Sequence, residues 1–155
     1  MPFQSLLAAD RIVLLVEAGD RDGVLDAAAR LLSDASPANT QAIADSLRKR
    51  ERLGSTAIGH GIAIPHGKLA GLKRIVGIFA RLAEPIEFDA VDGEKVDIVF
   101  LLLAPEGAGA DHLKALARIS RLLREGSAVE KLRASRDAAA LYAVLTEEEA
   151  SSHAA

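Results

Sequence analysis

The sequence predicts an α/β (α+β) fold: one domain with a mixed sheet sandwiched between helices. Three observations predict it. Aliphatic runs suited to strands interleave with segments of helical periodicity. The run from Val96 to Leu103 is almost wholly aliphatic, as a central strand covered on both faces requires. The 155 residues, half of them apolar, suit a single domain with a real core.

The elements follow from spacing and punctuation. Ile12 to Val16, five consecutive aliphatics between Arg11 and Glu17, read as a short buried strand. Val24, Ala28, Leu31 and Leu32 then fall at helical spacing, with Asp22 a suitable N-cap. Ser36, Pro37 and Asn39 mark a loop. Thr40 opens a second helix with Ile43 and Leu47 inward, ending near Gly54. Ile75 to Leu82 alternates, with Val76, Ile78, Ala80 and Leu82 on one face and Gly77, Phe79 and Arg81 on the other. Asp92-Gly93 signals a turn before the central strand. After Pro105, Gly107 and Gly109, Asp111 can cap a helix with Leu116, Ile119 and Leu123 inward. Ser127, three residues before Glu130, suggests a capping box for a short helix. Ser135 opens a last helix through Leu141 and Leu145. The domain is expected over residues 6–145, with a flexible, acidic tail at 146–155.

Composition excludes several functions. Nineteen Lys and Arg against 22 Asp and Glu give a net charge of −3. Without a basic excess to neutralise a phosphate backbone, nucleic acid is not an expected partner. Aromatic residues are only 3% of the chain and Trp is absent, which leaves no evident platform for stacking bases. The lack of cysteine excludes disulfide scaffolding, thiol catalysis and cysteine-held zinc or iron–sulfur centres. The longest strongly apolar run, Ile98 to Ala104, is far too short for membrane insertion, and no charged-then-apolar leader precedes Arg11. A soluble cytoplasmic protein is the simplest expectation.

One segment does not look like packing. Gly54-Ser-Thr-Ala-Ile-Gly-His-Gly-Ile-Ala-Ile-Pro-His-Gly-Lys68 places four glycines and a proline around a single short expected strand, Ile62 to Ile64. His66 follows Pro65 at the end of that strand, where a sheet holds binding residues within reach of solvent. An unprotonated imidazole is a nucleophile or proton acceptor at pH 7. A histidine that only hydrogen-bonds within its loop is the plain alternative. His112 falls in the first turn of an expected helix, where free amides favour an anion and discourage protonation of the ring. From the residues alone, a water-facing histidine is the simpler reading there. Arg50 carries the planar donor fork suited to phosphate oxygens. It also belongs to Arg48-Lys49-Arg50-Glu51-Arg52, and such runs are usually solvated, so composition does not choose among these arginines. His60 is a weaker candidate, and His153 reads as solvated.

Other motifs fail. Gly54 and Gly59 have the spacing that begins a P-loop, but His60-Gly61 stands where the lysine and hydroxyl residue belong. His60 and His66 do not form the i, i+4 pair of a zinc peptidase, so no metal site is indicated. No Gly-x-Ser-x-Gly elbow occurs.

The run Arg50-Glu51-Arg52-Leu53-Gly54-Ser55-Thr56, followed by Gly61-Ile-Ala-Ile-Pro-His-Gly-Lys68, closely resembles the enzyme IIA domains of the fructose–mannitol–nitrogen class of the phosphoenolpyruvate-dependent phosphotransferase system. The likeness continues through Phe88-Asp89, Asp92-Gly93, the Val96 to Ala104 strand with Pro105, and Asp111-His112-Leu113. It implies the mannitol-type IIA fold and makes His66 the phosphorylated histidine. It also makes Arg50, sixteen positions earlier, the active-site arginine and His112 the second active-site histidine. Ala57 stands where related sequences often have glycine, which leaves those three residues untouched. His60 lies outside the motif and takes no role from it. No cofactor is implied.

The resemblance also implies a phosphoryl donor, a histidine phosphocarrier protein. The motifs look most like the nitrogen-regulatory members, whose phosphorylation state controls regulatory target proteins, including those of potassium transport. A sugar-specific IIA that passes phosphate to a fructose- or mannitol-type IIB is the alternative, and a non-catalytic interaction module is a third reading. A protein donor needs a modest apolar patch around the histidine. Ile58, Ile62, Ile64 and Leu69 are candidates for that patch or for core.

Overall fold

The structure is a computed structural model that describes residues 12–16, 19–33 and 40–154. Its elements run β1 (Ile12–Val16), α1 (Arg21–Ser33), α2 (Thr40–Leu53), β2 (Ala57–Gly59), β3 (Ile62–Ala63), β4 (His66–Leu69), β5 (Val76–Ile86), β6 (Val96–Pro105), α3 (Ala110–Leu123), α4 (Gly126–Ala134) and α5 (Ala138–Ala154). The expected Ser36-Pro37-Asn39 loop and the domain start at residue 6 lie outside the described residues.

The aliphatic run forms the middle of a mixed sheet ordered β1-β5-β6-β3-β2, with β4 also paired to β6. β5 lies antiparallel on one edge of β6, while β3 and β4 lie parallel on the other, end to end. Side chains of a strand alternate between faces, and here both faces are covered. Ile98, Phe100 and Leu102 enter one apolar cluster with α3, α4 and α5; Val99, Leu101 and Leu103 enter a second with α1 and α2. The alternation expected in β5 divides in the same way, Val76, Ile78, Ala80 and Leu82 facing α1 and α2 while Phe79 faces the opposite layer. Phe79 and Phe100 meet edge to face with centroids 6.2 Å apart, a contact that adds about 1 kcal/mol to their burial.

Several expected boundaries shift, each because a different group satisfies a helix end. Asp20, not Asp22, caps α1: its Oδ1 accepts the Gly23 N–H at 2.8 Å and its carbonyl that of Val24 at 3.2 Å. Asp22 sits within the first turn instead. Gly109, at φ 40°, rather than Asp111, precedes α3. Glu125 precedes α4, so Ser127 is already helical and makes no capping box with Glu130. Ser135 closes α4 rather than opening α5. Its hydroxyl donates to the Lys131 carbonyl at 2.7 Å, and Arg81 reaches across from β5 to the carbonyls of Leu132, Arg133 and Ser135. Asp137 then caps α5 through the Ala140 N–H at 2.7 Å. α5 continues to Ala154, past the expected domain end at Leu145; Glu147, Glu148, Glu149 and Ala150 are all good helix formers.

The glycine-rich segment holds three short strands where one was expected. β2 and β3 form a hairpin whose two turn residues, His60 and Gly61, have φ of 56° and 81°, the paired positive dihedrals of a type I′ turn. A Cβ at Gly61 would lie 2.6 Å from an Arg133 guanidinium nitrogen. Pro65 has no N–H and interrupts the edge. Its carbonyl nevertheless accepts the Leu102 N–H at 2.9 Å, so the chain resumes pairing immediately as β4.

The α1 cap gives a direct check. Asp20→Ala should lower unfolding free energy by about 1 kcal/mol in urea titrations, whereas Asp22→Ala should cost no more than about 0.5 kcal/mol.

Candidate active site

His66 is the first residue of β4, a strand position rather than the loop end expected from sequence. Its ring is half-buried and held on both nitrogens. Nδ1 lies 2.9 Å from the Ile64 carbonyl, which only accepts, so Nδ1 carries the hydrogen and Nε2 is left with a lone pair. The Arg50 Nε–H points at that lone pair from 3.2 Å. A second Arg50 nitrogen donates to the Gly54 carbonyl at 2.8 Å. The guanidinium is thus tethered at the exit of α2 while it contacts the imidazole on β4.

The structure chooses among the arginines that composition could not separate. Arg48 pairs with Asp26 on α1, Lys49 and Arg52 are exposed, and Arg50 alone of this run contacts His66. Glu51 is buried, although the sequence reading placed it in a solvated run. Its carboxylate accepts both the backbone N–H and the hydroxyl of Thr56, stapling the end of α2 to the start of β2. One signal could have found it: Ile43, Leu47 and Glu51 recur every four residues on the buried face of α2.

His112 is also corrected. It is 4% exposed, not water-facing, in the first turn of α3. Its ring lies 5.5 Å from that of His66, centroid to centroid, tilted by 54°. Burial, then the nearby charges of His66 and Lys68, push its pKa down to about 4. Burial likewise lowers His66, with Arg50 acting in the same direction, against the Ile64 carbonyl and Glu51, which favour protonation. Both rings are therefore neutral at pH 7. His60 stands elsewhere in purpose: exposed at the hairpin turn, its N–H donates to Asp92 at 2.9 Å and its carbonyl accepts from Arg133 at 2.7 Å. His153 lies on α5, outside the side chains described.

The expected apolar patch is replaced by another. Ile62 and Ile64 are core, and Ile58 and Leu69 pack against the two clusters. The exposed large apolar residues closest to the site along the chain are Leu53, three after Arg50, and Leu113, next to His112. Among the described residues, no group of three or more His, Cys, Asp or Glu could hold a metal ion, and no helix is long and apolar enough to cross a membrane.

Two imidazoles that are neutral at pH 7 and a tethered guanidinium thus lie together at one end of β4. Residues 5–148 match the family model described as phosphoenolpyruvate-dependent sugar phosphotransferase system, EIIA 2. The chain belongs to that family. This EIIA chain is 52% identical over 145 residues to the nitrogen regulatory protein of Bradyrhizobium diazoefficiens, covering 94% of this chain and 95% of that one. The crystal structure of nitrogen regulatory protein IIA-Ntr from Neisseria meningitidis matches it with a TM-score of 0.89 and 38% identity, over 93% of this chain and 99% of that one. IIA mannitol from Escherichia coli, at 19% identity, shares the fold with a TM-score of 0.75 over 89% and 97% of the two chains. The expected mannitol-type IIA architecture is the one observed, and the EIIA chain is a phosphotransferase-system component.

The neutral state of His112 sets a pH dependence. Its folded pKa of about 4 lies below the ordinary 6.5, so on acidification the unfolded chain takes up this proton first. The stabilisation is complete above about pH 6.5 and disappears as pH falls towards 4. NMR titration should place the His112 midpoint near 4. Thermal stability should fall less over that interval in His112→Phe than in the parent; a midpoint above 6 would contradict the assignment.

Proposed function

We propose that this protein is the phosphoryl carrier of a nitrogen-related regulatory phosphotransferase branch, taking its phosphoryl group from a histidine phosphocarrier protein onto Nε2 of His66. The observation that carries the reading is the His66 tautomer. With Nδ1–H committed to the Ile64 carbonyl, Nε2 keeps its lone pair, which accepts the Arg50 Nε–H and becomes available to phosphorus when that arginine shifts. Burial keeps the ring unprotonated at neutral pH, as a nucleophile must be.

The step balances without moving a proton. The donor's N–P bond breaks, its imidazole leaves with the electron pair, and a new bond forms between phosphorus and His66 Nε2. The phosphorylated ring retains Nδ1–H and becomes cationic, and the Ile64 carbonyl stabilises that cation. Arg50 moves from the lone pair to the equatorial oxygens, where its charge offsets theirs. His112 supplies a neutral donor. Its Nδ1 is buried without a partner, so the tautomer carrying hydrogen on Nε2 avoids stranding an N–H. Both ends of the transfer are phosphoramidates, so alignment and electrostatics suffice.

Exposed Leu53 and Leu113, close in sequence to Arg50 and His112, suit the apolar rim of a protein partner. Phosphorylation adds nearly two negative charges at His66, enough to make or break a docking surface. The identity to nitrogen regulatory proteins favours regulatory targets, of potassium transport or nitrogen-linked transcription, over a sugar-specific IIB.

Incubation with phosphoenolpyruvate, enzyme I and the histidine phosphocarrier tests the reading. Acid-labile label should appear on Nε2 of His66 and be absent from His66→Ala. Arg50→Ala and His112→Ala should each transfer about 100-fold more slowly, and His60→Ala should transfer at close to the parent rate. Equal labelling of His66→Ala would overturn the acceptor assignment. Rapid passage of label to a IIB cysteine would replace the regulatory role with the sugar-specific one.

A further inference from the structure

Gly67 follows His66 in β4, pairs with Leu103 and is buried. Its backbone dihedrals lie outside the left-handed region, so no turn calls for glycine there. The reason is steric. A Cβ at this position would lie 2.6 Å from Ser46 Oγ and 3.5 Å from the Ser46 Cβ and carbonyl carbon. The same Ser46 hydroxyl donates to the Lys68 carbonyl at 3.0 Å. β4 is therefore seated directly on α2 at Ser46, through one close contact and one hydrogen bond.

Ser46 and Arg50 are one helical turn apart and lie on neighbouring positions of the same face of α2. His66 and Gly67 are adjacent in β4. The separation between helix and strand at Ser46 is thus transmitted, across one turn, to the separation between Arg50 and His66. That bond, at 3.2 Å, stands at the upper end of the ordinary range, so a further lengthening of about 0.4 Å would end it. A Cβ at residue 67 leaves two outcomes. Either α2 lifts from β4, or the Ser46 hydroxyl rotates and abandons the Lys68 carbonyl.

We propose that Gly67 is a positioning residue for phosphoryl transfer: its missing side chain lets α2 close onto β4 at Ser46, and that closure holds Arg50 against Nε2 of His66. The idea rests on the reading of His66 as acceptor and names what aligns the cation there. Glu51 and Thr56 anchor the far end of the same helix, so α2 is fixed on both sides of Arg50.

The test uses the full chain and five variants: G67A, S46A, R50A, G67A/S46A and G67A/R50A. G67A should slow transfer to His66 by roughly 10- to 100-fold, the range for small misplacements of a catalytic group. In the R50A background the same change should cost less than about 2-fold, because Gly67 acts through the arginine. Removing the Ser46 hydroxyl makes room for the new methyl, so G67A/S46A should recover to within about 3-fold of S46A alone. Histidine side-chain 15N spectra, recorded without any phosphoryl donor, should show the His66 Nε2 resonance of G67A moving to its value in R50A and returning in G67A/S46A. Three results would each overturn the proposal: transfer and spectra of G67A equal to the parent, multiplicative effects of G67A and R50A, or no recovery in G67A/S46A. Should G67A fail to fold, the double variant decides, since folding and transfer there support the steric argument and failure there removes it. The spectra also separate this idea from the carrier reading. A parent protein that takes no label defeats the latter while the Arg50–His66 contact is still measured.

Discussion

A strand with no water on either face must have all of its backbone groups paired, and β6 is such a strand. One edge is covered by β5. The other is covered in two pieces, β3 opposite Ile98 and Val99 and β4 opposite Leu102 to Pro105. The break between the pieces falls at Ile64-Pro65, and the Ile64 carbonyl that is left out of the ladder becomes the acceptor for His66 Nδ1–H. The demand of a buried strand for partners and the orientation of the His66 ring are thus one arrangement. The most apolar part of the chain holds the most polar chemistry in register.

Electrostatics at the site depends on keeping rings neutral beside a cation. Desolvation is the largest influence on both His66 and His112, and it acts against protonation. Arg50 reinforces this at His66 through its positive charge. The guanidinium therefore stands as a positive charge beside an uncharged imidazole. Glu51, buried behind Arg50 and bonded to Thr56, balances the local charge without competing for the guanidinium.

Much of the architecture was legible in residue patterns. The aliphatic Val96 run, the alternation from Ile75 and the 3.6-residue stripes of α1 and α2 all report burial, which side-chain hydrophobicity encodes directly. Helix ends were less legible. Asp20 and Asp22 are chemically equal candidates for one cap, and only the backbone path decides which carboxylate reaches an amide. Ser135 looked like an opener because hydroxyls often cap; here Arg81, 54 residues away in sequence, joins it in closing the preceding helix. Long-range groups of that kind leave no local trace.

The site divides along the same line. The chain by itself determined which residue types were present for the chemistry: an imidazole after Pro65, an arginine ending a helix, a second imidazole opening another. It also determined their likeness to a phosphotransferase family, because Gly61 to Lys68 is a contiguous pattern. The resemblance had already singled out Arg50; only the tertiary structure sets its Nε against His66 while Arg48 pairs with Asp26, buries His112 beside that ring, and bonds Glu51 to Thr56 and Ser46 to Lys68. Those are distances between segments brought together by packing on β6. No spacing along a chain encodes a separation across a sheet until the core that sets it has formed.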